Sequence, residues 1–216
     1  MLAGPALAHG IGGKDAAFVA SSQGPQVLPF LYLGAKHMVT GYDHLLFILG
    51  VIFFLYRLSH VALYVTMFSV GHSITLLSGV LGGVHVNPYL IDAIIGLSVA
   101  YKAFDNLAGF KTLLGVQPST KAAVLIFGLF HGFGLATKLQ ALKMSKDGLI
   151  ANLVSFNVGV EIGQLIALSL MLGLILWWRR SAGFARQAVA ANAVIMAAGF
   201  LLMDYQLAAF FSGKGA

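Results

Sequence analysis

The chain contains no cysteine. Disulfides, thiolate metal sites and thiol nucleophiles are therefore all excluded. Charge is nearly as scarce: 9% of the 216 residues are Asp, Glu, Lys or Arg, while 59% are hydrophobic. Soluble domains carry about 25% charged residues, so this chain has too few to solvate a surface of its own. With a mean hydropathy of +0.89, the class that remains is an all-α, multi-pass membrane protein whose partner is the lipid bilayer. No nucleotide-binding motif occurs, so ATP coupling within the chain is excluded. The net charge of +6 would raise nucleic acid as a partner in a soluble protein. Here Lys and Arg at helix ends, facing anionic headgroups, account for it, and no nucleic acid is expected.

What the chain does have is long apolar runs. Six are long enough to span, near residues 30–56, 60–83, 88–108, 120–138, 148–178 and 187–211, each transmembrane helix needing about 20 residues. They predict one transmembrane domain over 29–211, an extramembrane segment over 1–28 that is irregular from 9 to 27, and a tail over 212–216. Ala6-Leu7-Ala8 before His9 resembles a signal-peptidase site, making 1–8 a candidate signal remnant. An N-terminus outside the cell puts Arg57, Lys111, Lys121, Arg179, Arg180 and Arg186 inside, as the positive-inside bias requires, and leaves Lys138, Lys143 and Lys146 outside, against it. Gly41-x-x-His44 recurs as Gly128-x-x-His131, and Phe68-x-Val70-Gly71 as Phe156-x-Val158-Gly159, at nearly one offset. Units of three spans each would lie inverted in the membrane, the arrangement of many transporters. Oligomeric state is left open, a homo-oligomer included.

The polar residues inside these runs carry the chemistry, because each costs free energy in lipid unless paired or used. In "HMVTGYDHLL", His37, Gly41 and His44 follow i, i+4, i+7 and share a helix face. A regular helix would still hold His37 and His44 about 10.5 Å apart along its axis. A break at Thr40-Gly41 would bring them and Asp43 together, glycine tolerating the required backbone angles. Otherwise His37 stands at the entrance with Asp43 and His44 deeper, or Asp43 orients a ligating imidazole. "FSVGHSITLLSG" places Ser69, His72 and Ser73 at i, i+3, i+4, and "FGLFHGFGLATK" sets His131 among glycines. "FNVGVEIGQL" lines Asn157, Glu161 and Gln164 along one face, with Glu161 a mid-span carboxylate. Lys102 and Asp105, at i, i+3, read as an interfacial ion pair, and Asp92 as a residue that could serve a mouth.

Together, His37, Asp43, His44, His72, His131 and Glu161 form a nitrogen-rich, sulfur-free donor set drawn from four spans, with Ser73, Asn157 and Gln164 as supporting polar groups. A proton relay would accept the same residues. Imidazole dominance with carboxylate support favours a divalent transition metal, Ni²⁺, Co²⁺ or Zn²⁺, as cargo. The function expected is a metal permease of a bacterial inner membrane, with His9 as an outer capture residue, and not an enzyme. The alternative is an intramembrane zinc hydrolase, which would have its parts here but lacks H-E-x-x-H spacing. A passive metal chaperone is a third reading.

His37, Gly41, Asp43 and His44 make the pattern H-x-x-x-G-x-D-H, which resembles the signature of the HupE/UreJ family. "GHSITL" around His72, "HGFG" around His131 and "FNVGVEIGQ" around Glu161 resemble its second, broader branch. The resemblance runs from about residue 30 to 211 and implies an accessory membrane protein of hydrogenase or urease systems, acting as a nickel or cobalt permease. It also implies a cleaved signal followed by His-Gly, as in "ALAHG". Met38 stands where the commonest nickel motif has proline.

Overall fold

The computed structural model describes residues 11, 13–55, 57–142 and 144–214. Ala6-Leu7-Ala8, His9 and Lys143 lie outside the described residues. Among those described, nine α-helices occur and no strand: α1 Gly13–Ser21, α2 Val27–Thr40, α3 Tyr42–Ile52, α4 Leu58–Gly82, α5 Pro88–Asn106, α6 Gly109–Leu114, α7 Thr120–Ala141, α8 Leu149–Trp178 and α9 Phe184–Ala209.

Four helices are long and apolar enough to cross a membrane: α4, α7, α8 and the stretch Phe184–Gly213. The other two expected spans fall short of that measure for identifiable reasons. The first run breaks at Gly41 into α2 and α3, of 14 and 11 residues. The third, α5, holds Asp92, Lys102 and Asp105, all buried. The segment before the spans, read from sequence as irregular, instead holds α1. Its Asp15 pairs with Lys36 at 2.7 Å, its Phe18 ring lies 6.0 Å from Phe30, and its Val19 is buried.

Three helix pairs make the bundle: α2 with α8, α4 with α7, and α5 with α9. The first pair starts together, where Asn152 accepts from the Gln26 N–H at 2.6 Å and donates to the Gly24 carbonyl at 3.1 Å. The α2–α3 path also finishes beside the end of α8, where Arg179 donates to the Leu55 carbonyl at 2.6 Å and to that of Phe53. Thus α2 and α3 end to end run alongside α8, whose 30 residues rise about 45 Å.

Glycine sets how close each pair comes. A Cβ on Gly34 would meet the Phe156 carbonyl, and one on Gly128 the Phe68 carbonyl. One on Gly159 would meet Leu31 and Ala35, and one on Gly71 would meet Leu125 and Leu129. Gly96 and Gly199 face each other's helices, Gly96 against Met203 and Gly199 against Ala100. From these contacts α2 and α8 run parallel, α4 and α7 run parallel, and α5 opposes α9. Small residues serve this purpose in lipid, where association rests on close packing between helices. Between the pairs lies a core of Phe30, Met38, Phe47, Phe68, Leu76, Leu153 and Phe156.

Gly159→Ala should therefore destabilise the protein by about 1–3 kcal/mol, the usual cost of overpacking a tight contact. Gly173→Ala should not, since nothing lies within 4 Å of the added methyl. Thermal unfolding of both variants in detergent checks this, and equal midpoints would refute the packing role.

Candidate metal-binding pocket

His37 ends α2 and His44 begins α3, separated by the break at Gly41. Gly41 adopts φ −80° and ψ 104°, an extended conformation open to any residue, so the break does not depend on a left-handed glycine. The Gly41 N–H donates to the His37 carbonyl at 3.1 Å, and the Gly41 carbonyl accepts from Leu45 at 3.0 Å, so both sides of the break remain bonded. Folding the chain here brings the two imidazole centroids to 5.3 Å, half the rise a continuous helix would impose.

His44 is the hub. Its ring centre lies 4.6 Å from His131 on α7 and 6.5 Å from His72 on α4. All four histidines are buried. Their apolar wall is aromatic: Phe68 is 5.0 Å from His131 and 5.9 Å from His44, Phe47 is 5.8 Å from His131, and Phe156 is 5.7 Å from His37. Asp43 is buried beside them in the first turn of α3. Its Oδ1 accepts the His44 N–H at 3.0 Å and lies 3.7 Å from His44 Nδ1.

The hydrogen bonds fix which nitrogen of two rings carries the proton. His131 Nδ1 is 2.7 Å from the Phe127 carbonyl, which can only accept, so the proton is on Nδ1. Asn157 donates its Nδ2 to the Leu153 carbonyl at 3.1 Å, which turns its Oδ1 toward His72 Nδ1 at 3.1 Å. That ring also donates through Nδ1. In both, Nε2 keeps its lone pair, is buried, and has no hydrogen-bond partner among the described residues. An imidazole held by one nitrogen with the other bare is the form in which histidine ligates a metal.

Local sequence explains why α4 and α7 come close enough. Gly132 abuts the His72 carbonyl and the Thr75 hydroxyl, and Thr75 donates to the Leu129 carbonyl at 2.7 Å. The glycines around His131 thus seat its helix on α4.

Not every residue of the expected set joins the histidines. Glu161 is half-buried and lines a groove of about 260 Å³ with Ser69, Ser73 and Thr66, along the α4–α8 seam. Gln164 is buried and accepts from the Ser69 hydroxyl at 3.2 Å. Asn157 supports His72, as described. Among the described residues, no group of three or more His, Asp or Glu side chains is placed to hold one ion.

Two ion pairs bracket this region. Lys138 donates to both Asp92 oxygens at 3.0 and 3.1 Å, and its ammonium lies within electrostatic reach of His37, Asp43 and His44. Sequence spacing did not reveal this pair, which joins α5 to α7 across 46 positions. The signal available was two opposite charges facing the same end of neighbouring spans. Lys102 pairs with Asp105 at 2.5 Å as expected, but the pair is buried rather than interfacial, and Gln117 donates to the same carboxylate. Ser69 with Gln164 was also missed, because neither residue type names its partner.

Long apolar helices packed around a buried imidazole cluster define a helical membrane protein. The chain matches the model of HupE / UreJ proteins over residues 13–214, nearly its whole length, and belongs to that family. Neither the curated proteins nor the solved structures contain a match to the chain.

¹⁵N spectra of histidine-labelled protein should report His72 and His131 protonated on Nδ1. Asn157→Ala should abolish that preference for His72 alone, and an Nε2–H tautomer in the wild type would contradict the assignment.

Proposed function

We propose that the protein is a divalent transition-metal permease, carrying Ni²⁺ or Co²⁺, with Zn²⁺ a further cargo, across a bacterial inner membrane. The observation that carries this reading is the buried imidazole cluster around His44, in which His72 and His131 offer bare Nε2 atoms to the protein interior. A sulfur-free, nitrogen-rich donor set suits these ions. The rings stand apart rather than clamped on one point, which suits a path that must release its ion. His37, Asp43, His44, His72 and His131 replace the hydration shell in succession. The inside-negative potential assists by about 2.3 kcal/mol per charge per 100 mV. At one mouth, Lys138 held on Asp92 keeps a fixed cation from filling the pocket.

In this reading the chain crosses six times, with α2 and α3 as one broken crossing, followed by α4, α5, α7, α8 and α9, and with the N-terminus outside. Two inverted units of three crossings are supported by the way the contacts exchange. Gly34 meets Phe156 as Gly128 meets Phe68; Gly159 meets Leu31 and Ala35 as Gly71 meets Leu125 and Leu129; Gly96 and Gly199 trade places. The matching register is Gly34-x-x-His37 with Gly128-x-x-His131, rather than the Gly41 register the sequence motif suggests. Rocking of such halves about a midplane site is a general transport device.

Hydrolysis fits less well. A zinc hydrolase needs an acid/base beside an open coordination position. Asp43 is bonded to the backbone of His44, and Glu161 lies in the side groove.

His44→Ala and His131→Ala should abolish Ni²⁺ uptake by proteoliposomes while the protein stays folded. Asn157→Ala should weaken metal binding by about 10–100-fold, the usual effect of losing the group that orients a ligating histidine. Glu161→Gln should leave metal binding in place. Wild-type uptake by His44→Ala would remove the pathway assigned here, and loss of binding in Glu161→Gln would return that residue to the pocket.

A further inference from the structure

A second feature lies away from the histidines. Consecutive in the chain, α8 and α9 diverge beyond their turn, because α8 packs on α2 and α9 on α5. Between them and α3 opens a groove of about 650 Å³, lined only by apolar and aromatic side chains, among them Leu49, Phe53, Met171, Ile175, Trp178 and Ile195. Its end is built of rings: Phe53 lies 5.8 Å from Trp178 and 6.3 Å from Phe184, and Trp178 lies 5.2 Å from Phe184. The Trp178 Nε1–H donates to Gln187 at 2.6 Å, which fixes the indole across the turn.

The rim has one sign of charge. Arg57, Arg179, Arg180 and Arg186 fall in residues 53–58 and 177–187, and no Asp or Glu occurs in either stretch. Arg179 is committed to the carbonyls of Phe53 and Leu55, while Arg57, Arg180 and Arg186 are exposed. Water has no polar partner along such a wall. An apolar cavity of about 150 Å³ already takes up benzene, so this larger groove accommodates a hydrocarbon chain. Basic side chains where helices leave the membrane attract anionic headgroups, and tryptophans mark the headgroup level.

We propose that the α3–α8–α9 groove binds an anionic phospholipid, with an acyl chain in the groove and the phosphate on Arg180 and Arg186. The site is independent of the histidine pocket and does not rest on the transport reading.

The test is native mass spectrometry of the purified full-length protein, titrated with phosphatidylglycerol or with phosphatidylcholine of the same acyl chains. Wild type should retain phosphatidylglycerol in preference. Arg180→Gln and Arg186→Gln should each reduce that preference about fivefold, from roughly 1 kcal/mol per basic residue at an anionic surface, with phosphatidylcholine retention unchanged. Ala191→Trp, which fills the groove, should lower retention of both lipids. If Ala191→Trp does not fold, the arginine variants still decide, because Arg180 lies on the α8–α9 turn and Arg186 in the first turn of α9, both exposed. Equal retention of the two lipids by wild type, or a preference that survives loss of both arginines, overturns the proposal. A dimer that Ala191→Trp disrupts without changing lipid retention also overturns it, and makes a second copy of the chain the occupant.

Discussion

In lipid, a buried imidazole must place each nitrogen against a partner or leave it bare at a cost, and this constraint organises the protein. For His72 and His131 the Nδ1 side is settled by an oxygen of the surrounding helices, Asn157 in one case and the Phe127 carbonyl in the other. Each bond does two things at once. It offsets the burial of one nitrogen, and it locks the ring so that the remaining lone pair faces the interior. A buried polar atom without a partner calls for a reason, and in the permease proposed above an ion met by one ring after another supplies it.

The cluster depends on how near the helices come. His37 and His44 belong to one run of sequence, His72 and His131 to two other helices, and no side chain could bridge them if the helices stood at ordinary separations of about 8–10 Å set by larger residues. Gly71, Gly128 and Gly132 remove the obstacle between α4 and α7, and Gly34, Gly159 and Gly163 do so between α2 and α8. The break at Gly41 completes the arrangement by redirecting His44 toward α7. Fold and site are therefore one problem here: the same close packing that substitutes for a hydrophobic driving force in lipid also sets the distances between donors.

Much of this was legible in the residues. Hydropathy gave the helical membrane class. The incompatibility of His37 and His44 with one regular helix made a break at Thr40-Gly41 one of the readings left open, and the chain does break there. Asn157, Glu161 and Gln164 were legible as one polar stripe, and the structure turns that face of α8 toward α4. What was not legible is how that stripe divides. Asn157, Glu161 and Gln164 share a face by helical period, yet the angular spread across i, i+4, i+7 is enough to turn Asn157 and Gln164 inward while Glu161 meets the edge of the seam. Sequence period fixes direction only to within the width of a face, and membership of a pocket is decided at finer resolution. Likewise, α1 was not expected, because its few apolar residues become a helix only when Phe18 and Val19 have Phe30 and the bundle to pack against.

Glu161 outside the histidine cluster changes what the cluster can be. A second carboxylate among four imidazoles would add charge and tighten the hold on a divalent ion, whereas imidazoles with Asp43 alone would hold one more loosely. Lys138 acts in the same direction, since a fixed ammonium within reach of His37, Asp43 and His44 opposes accumulation of positive charge there. Its pairing with Asp92 moderates that repulsion without removing it. In the proposed permease both features would lower affinity relative to the site the bare residue inventory suggests. In the permease proposed above, such loose binding is the condition of turnover, because an ion bound too well does not leave.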